Sequence, residues 1–438
     1  MASILTLIRR SRVDTSPWHT SRDFRLLFVG GSISRLGSMV TYVAVPLQVK
    51  QLTGSFALVG LIGLIELVPL VVLGLYGGAL ADAVDRRRMV LGTECAFILL
   101  SAMLLANSLA PTPRLWPIYG FAFLAAGLDG LQRPSLDALL PRIVSHDELA
   151  AASALNGLSM SVSTIAGPAI GGLLAARYGV GAGYALDMAT FAASTVAIAM
   201  MRPVPPSTSA PQPTLGAIVE GLRYAWSRKD LLGTYLVDLS AMFFAFPYAL
   251  FPFVADGLHA QWALGLLYSA GFVGAAIATA TSGWTGHVHR HGRAIVYASA
   301  VWGAAIACFG LSGNIWLCLV LLGIAGGADM VSGIFRQSMW NQTIPDEVRG
   351  RMAGTELLSY SLGPQLGQVR SSLVAQWTSL RTSLVSGGLA CVAAAAVLAI
   401  ALPTLWSYDV RTDIHASRQR QARAAAHPDR SAQDTGAD

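Results

Sequence analysis

The sequence predicts an all-α integral membrane protein with twelve transmembrane helices in two pseudo-symmetric six-helix bundles. Its 438 residues are 54% hydrophobic and only 12% charged, whereas soluble domains carry about 25% charged residues. Long apolar runs follow one another along the chain, and each is long enough to cross a hydrocarbon core about 30 Å thick as a helix. Short motifs also recur at an offset of about 200 residues, which indicates a duplicated architecture.

The apolar runs set the expected domain boundaries. The predicted spans are 24–47, 57–79, 89–109, 116–137, 152–175, 181–201, 232–254, 263–285, 294–312, 315–335, 353–375 and 383–404. We expect a cytoplasmic N-terminal segment (1–23), an N-terminal six-helix bundle (24–201), a cytoplasmic linker with an amphipathic helix (202–231), a C-terminal six-helix bundle (232–405) and a disordered cytoplasmic tail (406–438). The linker is rich in Pro, Ser and Thr, and the tail lacks apolar periodicity.

The basic residues indicate the orientation of the chain rather than a nucleic-acid partner. The formal net charge is +6. With the N-terminus inside, 24 of the 30 Lys and Arg residues fall in inner loops and tails, and four fall in outer loops. This asymmetry follows the positive-inside rule. It predicts a multi-pass protein of the cell membrane with both termini cytoplasmic.

The stretch from Gly77 to Arg88 separates two apolar runs and is dense in both glycine and charge. We expect it to form a tight turn at one membrane surface. Three motifs of the first half recur in order in the second half: Gly78–Arg88 with Gly283–Arg293, Arg133–Ser135 with Arg336–Ser338, and Gly167–Pro168 with Gly363–Pro364.

These motifs resemble the major facilitator superfamily over about residues 20 to 405. The family's loop signature, Gly-x-Leu-Ala-Asp-x-x-Gly-Arg-Arg/Lys, is matched by Gly78, Leu80, Ala81, Asp82, Arg86 and Arg87, with Asp85 in place of the second glycine. Three further stretches are similar to the siderophore-export and drug-efflux subgroup: Glu66–Pro69, Arg133–Asp137 continuing to Pro141, and Asn156 onward into Gly167–Gly172. The family's span 4 motif, an arginine followed by Gln-Gly, is not recognisable, so no proton-relay arginine is carried over there.

The resemblance implies two structural roles. A cytoplasmic gate that ties the two halves together would comprise Gly78, Asp82, Arg86, Arg87, Arg133, Asp137 and Arg336. Simple topogenic charge is the alternative interpretation for the arginines. A hinge or packing motif in span 5 would comprise Gly167, Pro168, Gly171 and Gly172. Close helix packing explains these four residues as well as a hinge does.

Ionisable residues inside the spans are the candidate coupling groups, because a charge in hydrocarbon is costly unless it is protonated or paired. Glu66 could carry a proton or form a structural hydrogen bond. Arg35 could line the cavity, pair with Glu66 or extend to the interface. Asp129, Asp238 and Asp329 could bind a proton or a cation, or form a salt bridge with Arg133 or Arg336.

Three further expectations concern aromatic and ionisable residues elsewhere in the spans. Tyr42, Phe243, Phe244 and Tyr248 could form a substrate pocket or could pack in the core. Asp187 and Arg370 could pair toward the outer side, and Glu94 is expected in a solvated or network role near an inner helix end.

Sequence patterns argue against catalysis. No Walker A, HExxH or usable GxSxG motif occurs, and the four cysteines lack metal-binding spacing. We therefore expect no enzyme activity, no cofactor and no metal. The sequence predicts a monomeric, proton-coupled secondary active exporter of a small amphipathic molecule (siderophore, antibiotic or drug) that works in the lipid bilayer by alternating access. A uniporter or importer of the same fold, and a non-transporting membrane sensor or scaffold, remain open.

Overall fold

A computed structural model describes residues 14–83, 85–203 and 215–426, without the side chains of 74–83 and of some positions within 215–222, 346–358 and 422–426. Twelve long helices make up most of this part of the chain. They are α1 (Arg22–Thr53), α2 (Phe56–Ala83), α3 (Arg86–Leu109), α4 (Leu115–Ile143), α5 (Leu149–Tyr178), α6 (Val180–Ala199), α7 (Lys229–Ala245), α8 (Leu264–Ala280), α9 (His291–Leu311), α10 (Ile315–Thr343), α11 (Asp346–Trp377) and α12 (Leu380–Ala401).

Ten segments within the described residues are helices long and apolar enough to span a membrane. They coincide with all of the long helices except α4 and α11. These two helices contain 29 and 32 residues, so length does not exclude them.

The chain divides into two compact units. The first consists of residues 1–212 together with Ala255–Ser269, and so contains α1 to α6 and the start of α8. The second consists of 213–254 and 270–438, and contains α7, the rest of α8 and α9 to α12. Apolar side chains form the core of each unit, for example around Leu139 and Ile198 in the first and around Val237 and Phe335 in the second.

The expected turn from Gly77 to Arg88 is much shorter in the structure. Helix α2 continues to Ala83, and α3 begins at Arg86. Alanine and leucine at 79–81 favour continuation of the helix. Asp85 then caps α3, because its side chain accepts a 3.0 Å hydrogen bond from the backbone N–H of Arg88. Its φ of −57° shows that no left-handed residue is needed at this position.

The predicted span 232–254 is broken in the structure. Helix α7 ends at Ala245, a 3-10 turn follows at Tyr248–Leu250, and a short helix covers Phe251–Gly257. Proline supplies no N–H and disfavours the helical conformation in the residue before it. Phe246, which precedes Pro247, is accordingly extended (φ −92°, ψ 108°).

Disorder from residue 406 onward is wrong for the part of the tail that the structure describes. A helix covers Ile414–Ala426. Asp413 starts it by accepting a 2.8 Å hydrogen bond from the N–H of Ala416. Arg420 donates a 2.9 Å hydrogen bond back to the carbonyl of Val410. A capping aspartate and an Ala/Arg/Gln-rich sequence favour a helix without any apolar periodicity. Residues 427–438 lie outside the described part.

The linker also contains a helix, Leu215–Ser227. It ends just before α7 begins at Lys229. Residues 204–214, the Pro/Ser/Thr-rich stretch, lie outside the described residues.

Candidate functional site

Two carboxylates and one guanidinium meet in the second unit. Asp238 lies on α7, whereas Asp329 and Arg336 lie seven residues apart on α10. Arg336 Nη1 forms an ion pair with Asp238 Oδ1, and its Nη2 lies 3.9 Å from Asp329 Oδ1. The structure thus brings together two of the predicted coupling carboxylates and an arginine that was assigned to the gate. We refer to these three residues as the acidic triad.

The two carboxylates of the acidic triad differ in environment. The side chain of Asp238 is 10% exposed, whereas that of Asp329 is 42% exposed. Asp238 also accepts a 3.3 Å hydrogen bond from the hydroxyl of Ser359 on α11. Asp238 therefore holds Arg336 tightly, while Asp329 is the more accessible and more weakly paired acid.

An aromatic stack and a hydrogen bond fix the helices that carry the triad. The rings of Tyr235 on α7 and Trp340 on α10 stack with centroids 4.8 Å apart. Trp340 Nε1 donates a 2.9 Å hydrogen bond to Thr234 Oγ1. Because these residues lie one turn from Asp238 and Arg336, they hold the register of α7 against α10.

Arg35 is bound by α5 in the first unit. Its Nη2 donates hydrogen bonds to Asn156 Oδ1 over 2.9 Å and to Ser159 Oγ over 3.1 Å. Pairing with Glu66 was one of three alternatives for Arg35. The hydrogen bonds of Arg35 run to α5 and not to α2, so they do not form that pair. Glu66 is half-buried on α2, and its coupling role stays a prediction.

Asp129, Arg133 and Asp137 follow one another at four-residue spacing on α4, and all three side chains are exposed. Residues four apart share one face of a helix. The structure therefore gathers two predicted gate residues and one predicted coupling carboxylate on a single charged stripe.

The other gate residues lie at the junction of α2 and α3. Gly78 and Asp82 are part of α2, and their side-chain surroundings lie outside the described residues. Arg86 donates a 3.4 Å hydrogen bond to the carbonyl of Ala138 on α4. Arg87 donates to the carbonyls of Ile198, over 3.0 Å, and of Ala199 at the end of α6. Those contacts stay within the first unit, so the role of these residues in tying the two halves together stays a prediction.

The glycines of the span 5 motif allow close helix contact within the first unit. A Cβ added at Gly167 would collide with Met39, and one at Gly171 would lie 2.9 Å from the carbonyl oxygen of Val40. A Cβ added at Gly172 would meet the backbone of Gly265, at the start of α8. Pro168 lies inside α5, and its carbonyl faces Gly265. These contacts support the packing interpretation, and the hinge interpretation stays a prediction.

The predicted pocket aromatics do not form one cluster within a single unit. Tyr42 belongs to the first unit, where its ring lies edge-on to Tyr268 with centroids 5.6 Å apart. Phe243, Phe244 and Tyr248 belong to the second unit. Phe243 and Phe244 contact each other, but Tyr248 lies beyond the break of α7 and stacks on Phe246 at 4.4 Å.

Asp187 and Arg370 lie in different units, and the hydrogen bonds described for each stay within its own unit, so their pairing stays a prediction. Asp187 accepts a 2.7 Å hydrogen bond from Ser101 on α3. Arg370 donates a 2.8 Å hydrogen bond to the carbonyl of Phe244. Gly387 leaves room for this guanidinium, because a Cβ added at Gly387 would collide with the carbonyl oxygen of Phe244 and with Arg370 Nη1.

Glu94 is also buried, and it accepts a 3.0 Å hydrogen bond from Gln132 on α4. Of the two expected roles, the solvated one is therefore wrong, and the hydrogen bond from Gln132 agrees with the network role. One sequence signal could have indicated a buried polar environment for Glu94 and Asp187. Each acid is followed, seven residues later on the same helix, by a serine, Ser101 on α3 and Ser194 on α6.

Comparisons with known proteins agree on one family and one fold. A family profile described as "Transmembrane secretion effector" matches residues 15–430. The enterobactin exporter EntS of Shigella boydii serotype 4 (strain Sb227) is 29% identical over 378 residues, covering 84% of this chain and 89% of that protein. EntS of Escherichia coli O1:K1 / APEC is similar to the same extent, with 29% identity over 378 residues.

Solved structures of transporters share the fold. The nucleoside transporter NupG superposes with a TM-score of 0.72 at 11% identity, covering 88% of this chain and 100% of that one. A bacterial homologue of the iron transporter ferroportin gives a TM-score of 0.67 at 14% identity, covering 88% and 99%. At these identities the likeness establishes the fold alone.

Proposed function

The chain belongs to the transmembrane secretion effector family of the major facilitator superfamily, and from this premise we propose that it is a proton-coupled exporter of a small amphipathic molecule. The cargo class is a siderophore or a compound of similar chemistry, in line with the relatives that are named enterobactin exporters. Export proceeds by alternating access, in which a binding site opens to one membrane face at a time.

The acidic triad is the observation that carries the coupling part of the proposal. Arg336 cannot shed its charge, and it is contacted by two carboxylates. With both acids ionised, the triad has a net charge of −1. A proton taken up by Asp329 cancels this charge and leaves the Asp238–Arg336 pair intact. Proton binding and release can therefore switch the electrostatics of α7 and α10.

The energy available from such a switch is sufficient for active transport. Moving one charge through 100 mV is worth about 2.3 kcal/mol, and each tenfold proton gradient adds about 1.4 kcal/mol. One or two protons per cycle can therefore sustain substantial accumulation of cargo. Glu66 on α2 is a second candidate carrier, because it is a half-buried carboxylate in an apolar helix.

We propose that the protein is a monomer in the cell membrane. We also propose that both termini lie in the cytoplasm, because 24 basic residues fall in predicted inner loops and tails. Thiol labelling from either side of the membrane tests this orientation. Cysteines introduced at Ser417 and at Asp14 are expected to react only from the cytoplasmic side.

Transport into inside-out vesicles tests the function. Wild-type protein is expected to accumulate a siderophore-class or drug-class cargo only under an imposed pH gradient. Asp329→Asn is expected to abolish the dependence on the gradient, and Glu66→Gln tests the second carrier. Asp409→Asn, on the loop before the tail helix, is the matched control and should behave as wild type.

Two outcomes would point elsewhere. Flux that persists after the gradient is collapsed, with Asp329→Asn and Glu66→Gln both harmless, would identify a uniporter or importer. Binding of cargo without any flux would identify a sensor or scaffold on the same fold.

A further inference from the structure

The interface between α3 and α6 holds two buried carboxylates that the acidic triad does not include. Glu94 on α3 is 2% exposed and Asp187 on α6 is 1% exposed. One oxygen of each has a donor, from Gln132 on α4 and Ser101 on α3 respectively. The second oxygens, Glu94 Oε2 and Asp187 Oδ1, have no hydrogen-bond partner among the described residues.

The two helices meet in a reciprocal register. Helix α3 supplies Glu94 and, seven residues later, Ser101, while α6 supplies Asp187 and, seven residues later, Ser194. Ser101 donates to Asp187 over 2.7 Å, and Ser194 lies beside Glu94. Each acid therefore faces a serine of the other helix.

The Glu94–Ser194 contact and the Asp187–Ser101 contact lie at two levels along the helices, and a pair of aromatic rings separates these two levels. Phe97 of α3 and Phe191 of α6 stack with an interplanar angle of 6° and centroids 4.7 Å apart. Seven helical residues rise about 10.5 Å. Glu94 and Asp187 are therefore too far apart to share a single proton or to bind one metal ion together.

Each level also contains a buried hydroxyl that makes no hydrogen bond of good geometry. Ser194 Oγ, beside Glu94, is fully buried and without a partner among the described residues. Thr41 Oγ1, from α1, is buried beside Asp187 and is likewise without a partner there. At two places in this interface, a carboxylate with an oxygen that lacks a hydrogen bond therefore lies beside a hydroxyl that also lacks one.

The described charged side chains on the surrounding helices are directed elsewhere. Arg35 of α1 is bound to α5, and Arg87 is bound to the carbonyls at the end of α6. Within the membrane-spanning parts, Lys50 of α1 is paired with Asp256, Glu66 is half-buried on α2, and Asp129, Arg133 and Asp137 are exposed on α4. Near the helix ends, Arg86 is bound to the carbonyl of Ala138, and Asp23 accepts a hydrogen bond from the backbone N–H of Arg202. The remaining charged side chains described on these helices are exposed: Arg22, Arg25, Arg88, Arg142 and Arg177. The polar groups that face the two acids are the neutral side chains of Gln132, Ser101, Ser194 and Thr41.

We propose that Glu94 and Asp187 are two proton-binding sites inside the first unit, separate from the acidic triad. An ionised carboxylate buried without a cation and with a single hydrogen bond is very costly. A protonated carboxyl gains one O–H donor. Glu94 can then donate to Ser194 Oγ, and Asp187 can donate to Thr41 Oγ1. The bound proton supplies the missing hydrogen at each level.

Infrared spectroscopy of the full-length protein in lipid nanodiscs tests this proposal. At neutral pH the protein is expected to show the carbonyl absorption of protonated carboxylic acids. Labelling with ¹³C-glutamate or ¹³C-aspartate separates the two residue types. Glu94→Gln is expected to remove absorption from the glutamate signal, and Asp187→Asn from the aspartate signal. The exposed Asp14→Asn change is the control and should remove neither.

Two additional variants keep the test decisive. Ser194→Ala leaves the acid in place but removes its acceptor, so the glutamate absorption is expected to shift even if Glu94→Gln fails to fold. The signals should also persist in an Asp238→Asn/Asp329→Asn background, because the triad is a separate site. Labelled wild-type protein that shows only ionised Asp and Glu would overturn the proposal, and so would a protonated signal that none of these α3 and α6 changes affects. No transport is measured, so failure here is distinct from failure of the proposed export.

Discussion

Arg35 and Asn156 join α1 to α5 through a hydrogen bond of 2.9 Å from Nη2 of the arginine to Oδ1 of the asparagine. Arginine keeps its charge at any accessible pH, so a half-buried guanidinium in an apolar helix needs acceptors. Asn156 and Ser159 supply them from adjacent turns of α5. This contact holds an intramembrane cation in a defined position without a carboxylate.

Asn156→Ala is expected to destabilise the first unit, because it leaves the guanidinium with one fewer acceptor. Loss of a partner to a charged group costs about 1.5–3 kcal/mol. The temperature of thermal unfolding in detergent should fall accordingly. Ser161→Ala is the matched control on α5, since that hydroxyl is exposed and bonds only to the carbonyl of Gly157. Equal effects of the two substitutions would contradict this account.

Gly37→Ala is expected to disturb the packing of α1 against α6. A Cβ at this position would clash with Thr190 Oγ1 and lie 2.9 Å from Asp187 Oδ1. Overpacking of this kind costs about 1–3 kcal/mol, which a thermal unfolding assay detects. Gly92→Ala, on α3, has nothing within 4 Å of the added Cβ and should leave the unfolding temperature unchanged or slightly higher.

Gly172→Leu is expected to push apart α5 and the start of α8, which belong to the same compact unit. Even the Cβ of a new side chain at 172 would meet the backbone of Gly265, and this backbone cannot move aside as a flexible side chain could. Cargo flux and thermal stability should both fall. Gly157→Leu serves as the comparison, because its Cβ would enter open space. Normal flux in the Gly172 variant would show that this contact is dispensable.

Arg87→Ala is expected to destabilise the end of α6, because Arg87 donates to the carbonyls of Ile198 and Ala199. The last carbonyls of a helix lack intrahelical partners and are stabilised by a nearby cation, typically by 0.3–1 kcal/mol. Thermal unfolding reports the change. Arg88→Ala removes the same charge at an exposed neighbouring position and should have a smaller effect. A loss of transport with unchanged stability would instead favour the gate role.

The tail helix Ile414–Ala426 is expected to loosen at low pH. Partial burial, and secondarily the charge of Arg228, lowers the pKa of His415 below its usual value. A histidine with a lowered folded-state pKa stabilises the docked state above its ordinary pKa of about 6.5, and this contribution is lost as the pH falls below that value. Amide hydrogen exchange across the helix, corrected for intrinsic rates, should therefore become faster as the pH is lowered from about 8 to about 5. His415→Gln should flatten this dependence.

The sequence predicted the individual residues of the acidic triad but not their arrangement. Asp238, Asp329 and Arg336 stand out because charges are rare in apolar helices. Their spacing along the chain does not reveal that Arg336 contacts both acids, because that depends on how α7 packs against α10. Arg35 shows the same limit, since several acceptors were compatible with its position and packing selected α5.

Local chemistry explains the remaining differences. Apolar runs locate helices well, but a capping residue or a proline decides where they end. Asp85 and Pro247 therefore displaced two expected boundaries. Asp413 similarly began a helix in a tail whose composition favoured disorder.

A helical membrane protein with a duplicated plan follows from the amino-acid sequence, because apolar length, charge placement and repeated motifs are properties of the chain alone. The identity of the buried polar groups that meet depends instead on how the helices pack. The sequence suggested Arg370 as a partner for Asp187 and a solvated or network role for Glu94. The antiparallel register of α3 and α6 placed a serine opposite each acid. The physical reason is that a buried polar group must find its partner across a helix interface, and the register of that interface is set by packing over the whole unit.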